Sequence, residues 1–138
     1  MTNIVSDESR IFITKHAKAR MQQRSFSKSD ISTIRRCGTV ITDHEILLTE
    51  KDVDREACEL RARIKQLQRH AERVKIWPCG TNVENSANEL HANITHYRRQ
   101  IILLERLRNR KIVIDGNCLI TCYLCTKSEL KRISRILN

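Results

Sequence analysis

Glycine, proline and aromatic residues are scarce in this sequence. Its 138 residues include three glycines and one proline, and aromatic residues make up 4% of the chain. Turn-forming residues are too few for a many-stranded β-sandwich or barrel, and aromatic rings are too few for a base-stacking platform. The sequence also lacks the run of roughly 18 apolar residues that a membrane span requires, and it lacks the apolar segment of a signal peptide. We therefore expect a helix-rich, cytoplasmic protein without a membrane partner.

Positive charge is in excess. The chain has 26 Lys and Arg residues against 16 Asp and Glu residues, a formal net charge of +10, and 40% of its residues are hydrophobic. The hydrophobic fraction suffices for a folded protein, and the length suits one domain or a small core with one elaboration. The charge favours a polyanionic partner, a description that nucleic acid, an acidic protein and an anionic surface all satisfy.

The middle of the chain has the spacing of a coiled coil. Hydrophobic residues recur at alternating steps of four and three in two runs that flank Pro78 and Gly80. Two such helices joined by a short turn pack as an antiparallel hairpin, seam against seam. The seam positions are Val53, Ala57, Leu60, Ile64, Leu67, Ala71 and Val74 in the first run, and Val83, Ala87, Leu90, Ile94, Tyr97, Ile101 and Leu104 in the second.

Shorter elements flank this hairpin. Capping patterns predict further helices, and runs of β-branched residues bounded by turn signals predict strands. We therefore predict an α+β fold, in which residues 1–49 and 111–138 form two N-terminal helices on a small antiparallel sheet, with residues 50–110 inserted as a helical arm. The predicted strands are 10–13, 39–42, 45–49, 111–115 and 118–125, and the predicted helices outside the arm are 15–24, 28–37 and 127–137.

One face of the first helix is the main candidate site. At about 100° per residue, His16, Arg20 and Arg24 fall within an arc of about 80°. Arginine binds phosphate bidentately and stays charged, and histidine exchanges a proton near neutral pH, so the set suits a phosphate ligand. A solvated basic face with a hydrogen-bonded histidine is the simpler interpretation of the same residues.

Two segments resemble a known family. The run ITKHAKARMQQR, which begins at Ile13, resembles the opening of a family of small uncharacterised bacterial and phage proteins with the pattern His-Ala-x-x-Arg-Met-x-x-Arg. The run IVIDGNCLITCY resembles the terminal β-hairpin of the same family. The likeness covers residues 11–49 and 111–125, and the arm stands where the family has a short connection. In element order the family is similar to RelE-like and barnase-like ribonucleases, which include toxins of toxin–antitoxin pairs.

This resemblance implies a metal-independent endoribonuclease that needs no cofactor. It places His16, Arg20 and Arg24 on the family's motif positions and Tyr123 on its C-terminal aromatic position. His16 would then act as acid or base, and the two arginines would hold the phosphate. Tyr123 would stack on a base or position a hydroxyl group. The resemblance also implies a cognate antitoxin as a protein partner.

Further cations gather at the base of the predicted arm. Residues 51–112 contain 14 Lys and Arg residues against eight Asp and Glu residues. A basic path from this base to the first helix would suit a nucleic-acid backbone, with RNA favoured, although coiled-coil flanks are normally charged for structural reasons. The candidate nucleic-acid-binding residues are Lys15, Arg106, Arg108, Arg110 and Lys111.

Histidine and cysteine elsewhere give weaker signals. His44 is a second histidine that could assist His16, although a polar turn residue is the simpler interpretation. Cys118, Cys122 and Cys125 include a Cys-x-x-Cys pair, but strand alternation places Cys125 opposite the other two. Buried thiols are therefore favoured over a zinc site.

Three functions remain open at this stage. The first is a toxin-type endoribonuclease, and the second is a regulator that binds nucleic acid without catalysis. The third is a protein-interaction or inhibitor module that acts through the arm, where a half-exposed seam would also favour a homodimer.

Overall fold

The computed structural model describes residues 11–76 and 82–137. These residues form an α+β fold, as the sequence predicts, and none of their helices is long and apolar enough to cross a membrane. The strands are β1 (Phe12–Ile13), β2 (Thr39–Thr42), β3 (Glu45–Leu47), β4 (Arg110–Asp115) and β5 (Cys118–Leu124), and the helices are α1 (Lys15–Gln23), α2 (Lys28–Cys37), α3 (Glu50–Ile76), α4 (Asn82–Leu107) and α5 (Lys127–Leu137).

The strands form one sheet in the order β1-β5-β4-β3-β2. All neighbours are antiparallel, as the sequence predicts, except β1, which pairs parallel with β5 through two residues. Strand β1 ends after Phe12 and Ile13, because the next residue, Thr14, is already the N-cap of α1. Among the described residues, the edge of β5 from Ile120 to Leu124 therefore has no strand on that side.

Different helices cover the two faces of the sheet. Side chains alternate along a strand, so Ile112 and its cross-strand neighbour Cys122 face one side, and Lys111 and its neighbour Tyr123 face the other. Helix α1 packs along β5 on the first face, beside α2, which packs along β3 and β4. On the second face, α5 covers a cluster formed by Leu47, Cys125 and Ile133, with Ile41, Tyr123 and Leu130 packed against it.

The chain divides into two compact units. One comprises Met1–Val53 and Leu107–Asn138, and the other comprises Asp54–Arg106. In the second unit, α3 and α4 bury six of the seam positions that the sequence predicts, which is consistent with the predicted helical hairpin. The buried positions are Ala57, Leu60, Ile64, Leu90, Ile94 and Leu104, whereas the side chains of Val74 and Val83 lie outside the described residues.

Gly38, at the end of α2, allows that helix to lie close to β3. A Cβ atom at this position would lie 2.5 Å from the carbonyl oxygen of Ile34 and 2.7 Å from Cγ2 of Ile46. Because backbone and strand must both shift to admit it, we predict that Gly38→Ala lowers the free energy of unfolding by about 1–3 kcal/mol. Urea denaturation measures the change, with Gln22→Ala on the surface of α1 as control, and equal midpoints for both variants would contradict the prediction.

Candidate functional site

Helix α1 is attached to β5 near both of its ends. Thr14 caps the helix and donates a hydrogen bond from its hydroxyl group to the carbonyl oxygen of Leu119 at 3.0 Å. Just beyond the other end, Nη1 of Arg24 donates to the carbonyl oxygen of Cys122 at 2.7 Å. His16 and Arg24 are about 12 Å apart along the helix axis. The basic face of α1 is therefore held along the open edge of β5.

An open groove of about 690 Å³ lies along this edge. The structure brings the four predicted catalytic residues together in it, although their chemical roles stay a prediction. Helix α1, strands β4 and β5 and the first turn of α5 all contribute to its walls. The groove is lined by His16, Arg20, Arg24 and Tyr123, together with Phe26, Arg110, Thr121, Leu124 and Glu129.

Three guanidinium groups give the groove its positive charge. Arg20, Arg24 and Arg110 form no ion pair with an acidic side chain in the part of the chain that the structure describes. Glu129 is the only acidic residue among those that line the groove. Unpaired cations on one concave surface attract anions and concentrate them there.

Arg20 interacts directly with His16, one helical turn away. Nε of Arg20 donates to Nε2 of His16 at 3.4 Å, and Nη1 donates to Oε1 of Gln23 at 3.2 Å. In this arrangement Nε2 is an acceptor, so the proton of the neutral ring lies on Nδ1. Because the imidazole is exposed, it is accessible for proton exchange with a ligand in the groove.

Arg110 is held by a ring and by the backbone. Its guanidinium carbon lies 4.8 Å from the centre of the Phe26 ring, and its Nη1 donates to the carbonyl oxygen of Arg24 at 3.3 Å. Its Nε is buried and has no hydrogen-bond partner among the described residues. An unpaired buried donor costs about 1–3 kcal/mol, so an oxygen ligand that reached Nε would remove this penalty.

Tyr123 connects the groove to an ion pair inside the protein. Lys111 is 2% exposed, and its Nζ donates to Oε1 of Glu45 at 2.9 Å and lies 4.8 Å from the centre of the Tyr123 ring. The hydrogen bond from Lys111 lowers the pKa of Glu45. Burial opposes the charged form of Lys111, but its interactions with Glu45 and Tyr123 outweigh burial and raise its pKa. The ion pair thus supports the aromatic ring from the second face of the sheet.

Of the five predicted nucleic-acid-binding residues, one lines the groove, and that residue is Arg110. Lys111 is buried against Glu45, so its ammonium group is not available on the surface. Nη1 of Arg108 lies 3.9 Å from Oε1 of Glu50, so this guanidinium group is paired with a carboxylate. Lys15 is exposed on α1 outside the groove lining, and Arg106 is exposed in the helical hairpin unit.

The remaining histidine and cysteine candidates lie outside the groove lining. Nδ1 of His44 is 3.8 Å from Oδ1 of Asp115, in an exposed pair. Cys122 and Cys125 are buried free thiols, and burial raises the pKa of both. Within residues 11–76 and 82–137, no group of three or more His, Cys, Asp or Glu side chains could hold a metal ion.

Glu129 is the ionisable lining residue that the sequence analysis did not place in the site. Its backbone N–H donates to Oγ1 of Thr126 at 3.2 Å, and Thr126 donates to its carboxylate at 3.2 Å, which is the capping pattern visible in the sequence. Because α5 begins soon after β5 ends, this capping acid lies near Tyr123. The short link between the two elements was the signal that could have revealed it.

Comparison with known proteins gives one family match, over part of the chain, and no activity. Residues 13–74 match the model of a family described as a domain of unknown function (DUF4258). The match includes the basic face of α1 and continues through residue 49 into α3, so the family pattern does not stop where the arm begins. Strands β4 and β5 and helix α5 lie outside it. Searches of curated proteins and of solved structures gave no match.

The ion pair behind Tyr123 generates a prediction about stability. Glu45→Gln leaves the buried ammonium group of Lys111 without a counter-charge, and we predict a loss of about 2–3 kcal/mol in the free energy of unfolding. Lys111→Met should cost about 1 kcal/mol, because the carboxylate of Glu45 is partly exposed and water can solvate it. Urea denaturation of both variants at neutral pH tests this asymmetry, which equal losses would contradict.

The same ion pair predicts how stability depends on pH. The folded-state pKa of Glu45 lies below its unfolded-state value, so its contribution is complete above the unfolded-state value and is lost as the pH falls through the folded-state value. The folded-state pKa of Lys111 is raised, so its contribution is lost only as the pH rises through that value. In acid, the difference in stability between wild type and Glu45→Gln should therefore shrink.

Proposed function

We propose that the groove binds RNA and cleaves it, as a metal-independent endoribonuclease of the toxin type. The observation that supports this proposal is that His16 lies in one open groove with three guanidinium groups, none of which pairs with a carboxylate among the described residues. RNA offers such a site a phosphate for the cations and a 2′-hydroxyl whose proton must be removed. A cognate antitoxin or another neutralising protein is proposed as the partner of such a toxin.

Two groups on different walls of the groove serve the proton transfers. In the proposed reaction, the carboxylate of Glu129 removes the proton of a 2′-hydroxyl, and the 2′-oxygen attacks the adjacent phosphorus. The bond from phosphorus to the 5′-oxygen breaks, and His16 protonates this leaving oxygen. The products are a 2′,3′-cyclic phosphate and a 5′-hydroxyl end.

Arg20 links phosphate binding to the availability of Nε2 of His16. In the free groove, Nε of Arg20 donates to Nε2 of His16 at 3.4 Å, a long hydrogen bond. A phosphate oxygen is a stronger acceptor, so Arg20 turns to the bound phosphate. Nε2 of His16 is then free to carry the proton that the leaving oxygen receives.

The other cations and the ring position the scissile group. Arg24 and Arg110 face the charge that develops on the phosphoryl oxygens, where one well-placed donor contributes about 100- to 1,000-fold in rate. Tyr123, held by Lys111 from behind, offers a ring on which a neighbouring base stacks.

The proton-transfer residues generate the central prediction. His16→Ala and Glu129→Gln should each slow cleavage of a labelled RNA oligonucleotide by about 100-fold or more. His44→Ala is the matched control, since it removes an exposed histidine outside the groove lining and should leave the rate unchanged. Equal rates for wild type and His16→Ala would discard the assignment.

Two further measurements separate cleavage from binding. A single 2′-deoxynucleotide at the cut site should block cleavage there, and wild type, unlike His16→Ala, should arrest bacterial growth when it is expressed. If wild-type protein binds RNA and forms no cyclic phosphate, the alternative of a non-catalytic nucleic-acid-binding regulator replaces the enzyme.

The stacked arginine generates a separate prediction. Arg110→Lys keeps the charge but loses the planar contact with Phe26 and the bidentate geometry. We predict that kcat/KM for an RNA oligonucleotide falls about 100-fold. Arg99→Lys, an exposed change in the hairpin unit, should leave kcat/KM unchanged, and equal values for the two variants would show that Arg110 does not contact the phosphate.

A further inference from the structure

Helix α3 is divided by charge. Residues 50–59 contain five acids and two bases, whereas residues 61–73 contain five bases and one acid, Glu72. Four of these bases follow one another at intervals of one helical turn, and all four are exposed. We call them the α3 ridge, and they are Arg61, Lys65, Arg69 and Arg73.

The structural needs of the helix do not explain the α3 ridge. Like charges four residues apart destabilise a helix by about 0.2–0.5 kcal/mol per pair. Among the side chains that the structure describes, which do not include those of residues 74–86, no acidic group forms an ion pair with the ridge. The helix dipole favours cations only in the last turn, whereas the ridge extends over about three turns. The hairpin seam uses the opposite face, where Leu60 and Ile64 are buried.

The chemistry of the α3 ridge fits a polyanion with regularly repeated charges. Successive ridge cations are about 6 Å apart along the helix axis, and they form a row along which a phosphate backbone can lie. A protein partner would instead need apolar or aromatic anchor residues. The exposed side chains beside the ridge include Ala62, Gln66, Gln68 and the single carboxylate of Glu72, and none of these four is a large apolar group.

We propose that the α3 ridge binds the sugar-phosphate backbone of a nucleic acid. This surface lies in the helical hairpin unit, Asp54–Arg106, and belongs to a different unit from the groove. The inference goes beyond the proposed cleavage and does not depend on it, because backbone contacts require neither a 2′-hydroxyl nor a proton-transfer group.

The experiment compares two variants with the same change in charge. In the ridge variant, Arg61, Lys65 and Arg69 are replaced by Gln, and in the control variant Lys127, Lys131 and Arg135 of α5 are replaced by Gln. Both triplets are exposed and have the same one-turn spacing. Glutamine has a helix propensity similar to that of lysine and arginine, so both variants should fold, which circular dichroism verifies.

The probe is a labelled single-stranded DNA of mixed sequence, which has no 2′-hydroxyl to cleave. For the ridge variant, the slope of log K against log salt concentration should fall by about 2, since each lost phosphate contact accounts for about 0.7. The affinity at low salt should fall roughly tenfold or more. A third variant, Arg61→Lys with Arg69→Lys, keeps the charges and should keep the wild-type slope.

Two results would overturn the inference. Equal losses of slope in the ridge and control variants would show that net charge alone determines binding. An unchanged slope in the ridge variant would show that the ridge does not contact the phosphate backbone, and an acidic protein would then be the expected partner of this surface. A dinucleotide is too short to reach a second surface, so its cleavage reports on the groove alone. This measurement distinguishes a failure of the proposed cleavage from a failure of the proposed binding at the ridge.

Discussion

The candidate site depends on the attachment of α1 to the open edge of β5. Strand β1 covers only the first part of that edge, and beyond it the carbonyl oxygen of Cys122 would face solvent or another chain. Arg24 donates to this oxygen at 2.7 Å and so occupies the edge with a cation. Covering a sheet edge with a charged group is a known protection against unwanted strand pairing. Here the same contact also aligns the basic face of α1 with the groove.

Two kinds of cation lie close together around β4, and their partners distinguish them. Lys111 is buried, paired with Glu45 and therefore part of the core. Its neighbour in the chain, Arg110, is held by a ring and a carbonyl oxygen, which are both neutral, and no acidic side chain in the described residues compensates its positive charge. Of these two cations, Arg110 is the stronger indication of a ligand site, because a contribution to stability does not explain an uncompensated charge.

Local rules predicted most of the fold. Capping residues such as Ser27 and Thr126 mark helix starts, and the alternation of four and three residues marks the hairpin seam, because both depend on positions within one helix turn or two. For the same reason, the sequence placed His16, Arg20 and Arg24 on one face of α1.

What the sequence could not give depends on register and on contacts distant in the chain. Arg110 and Lys111 are adjacent basic residues that the sequence does not distinguish. Because side chains alternate along β4, Arg110 lies in the groove and Lys111 lies in the core. The pairing of β4 with β5 sets the register that decides which residue faces which side. The parallel pairing of β1 with β5 is likewise a long-range property. Glu129 was recognised as a helix cap, but its place in the groove follows from the packing of α5 beside the end of β5.

The residues that line the groove come from the N-terminal and C-terminal parts of the sequence, and none comes from the inserted helical unit. His16 comes from the N-terminal part and Tyr123 and Glu129 from the C-terminal part, and they meet because β1 and β5 are neighbours in the sheet. Every residue that lines the groove belongs to the unit formed by Met1–Val53 and Leu107–Asn138. Since the α3 ridge belongs to the other unit, the chemistry proposed for the groove and the binding proposed for the ridge rest on separate sets of side chains. Each can therefore be removed while the other is left intact.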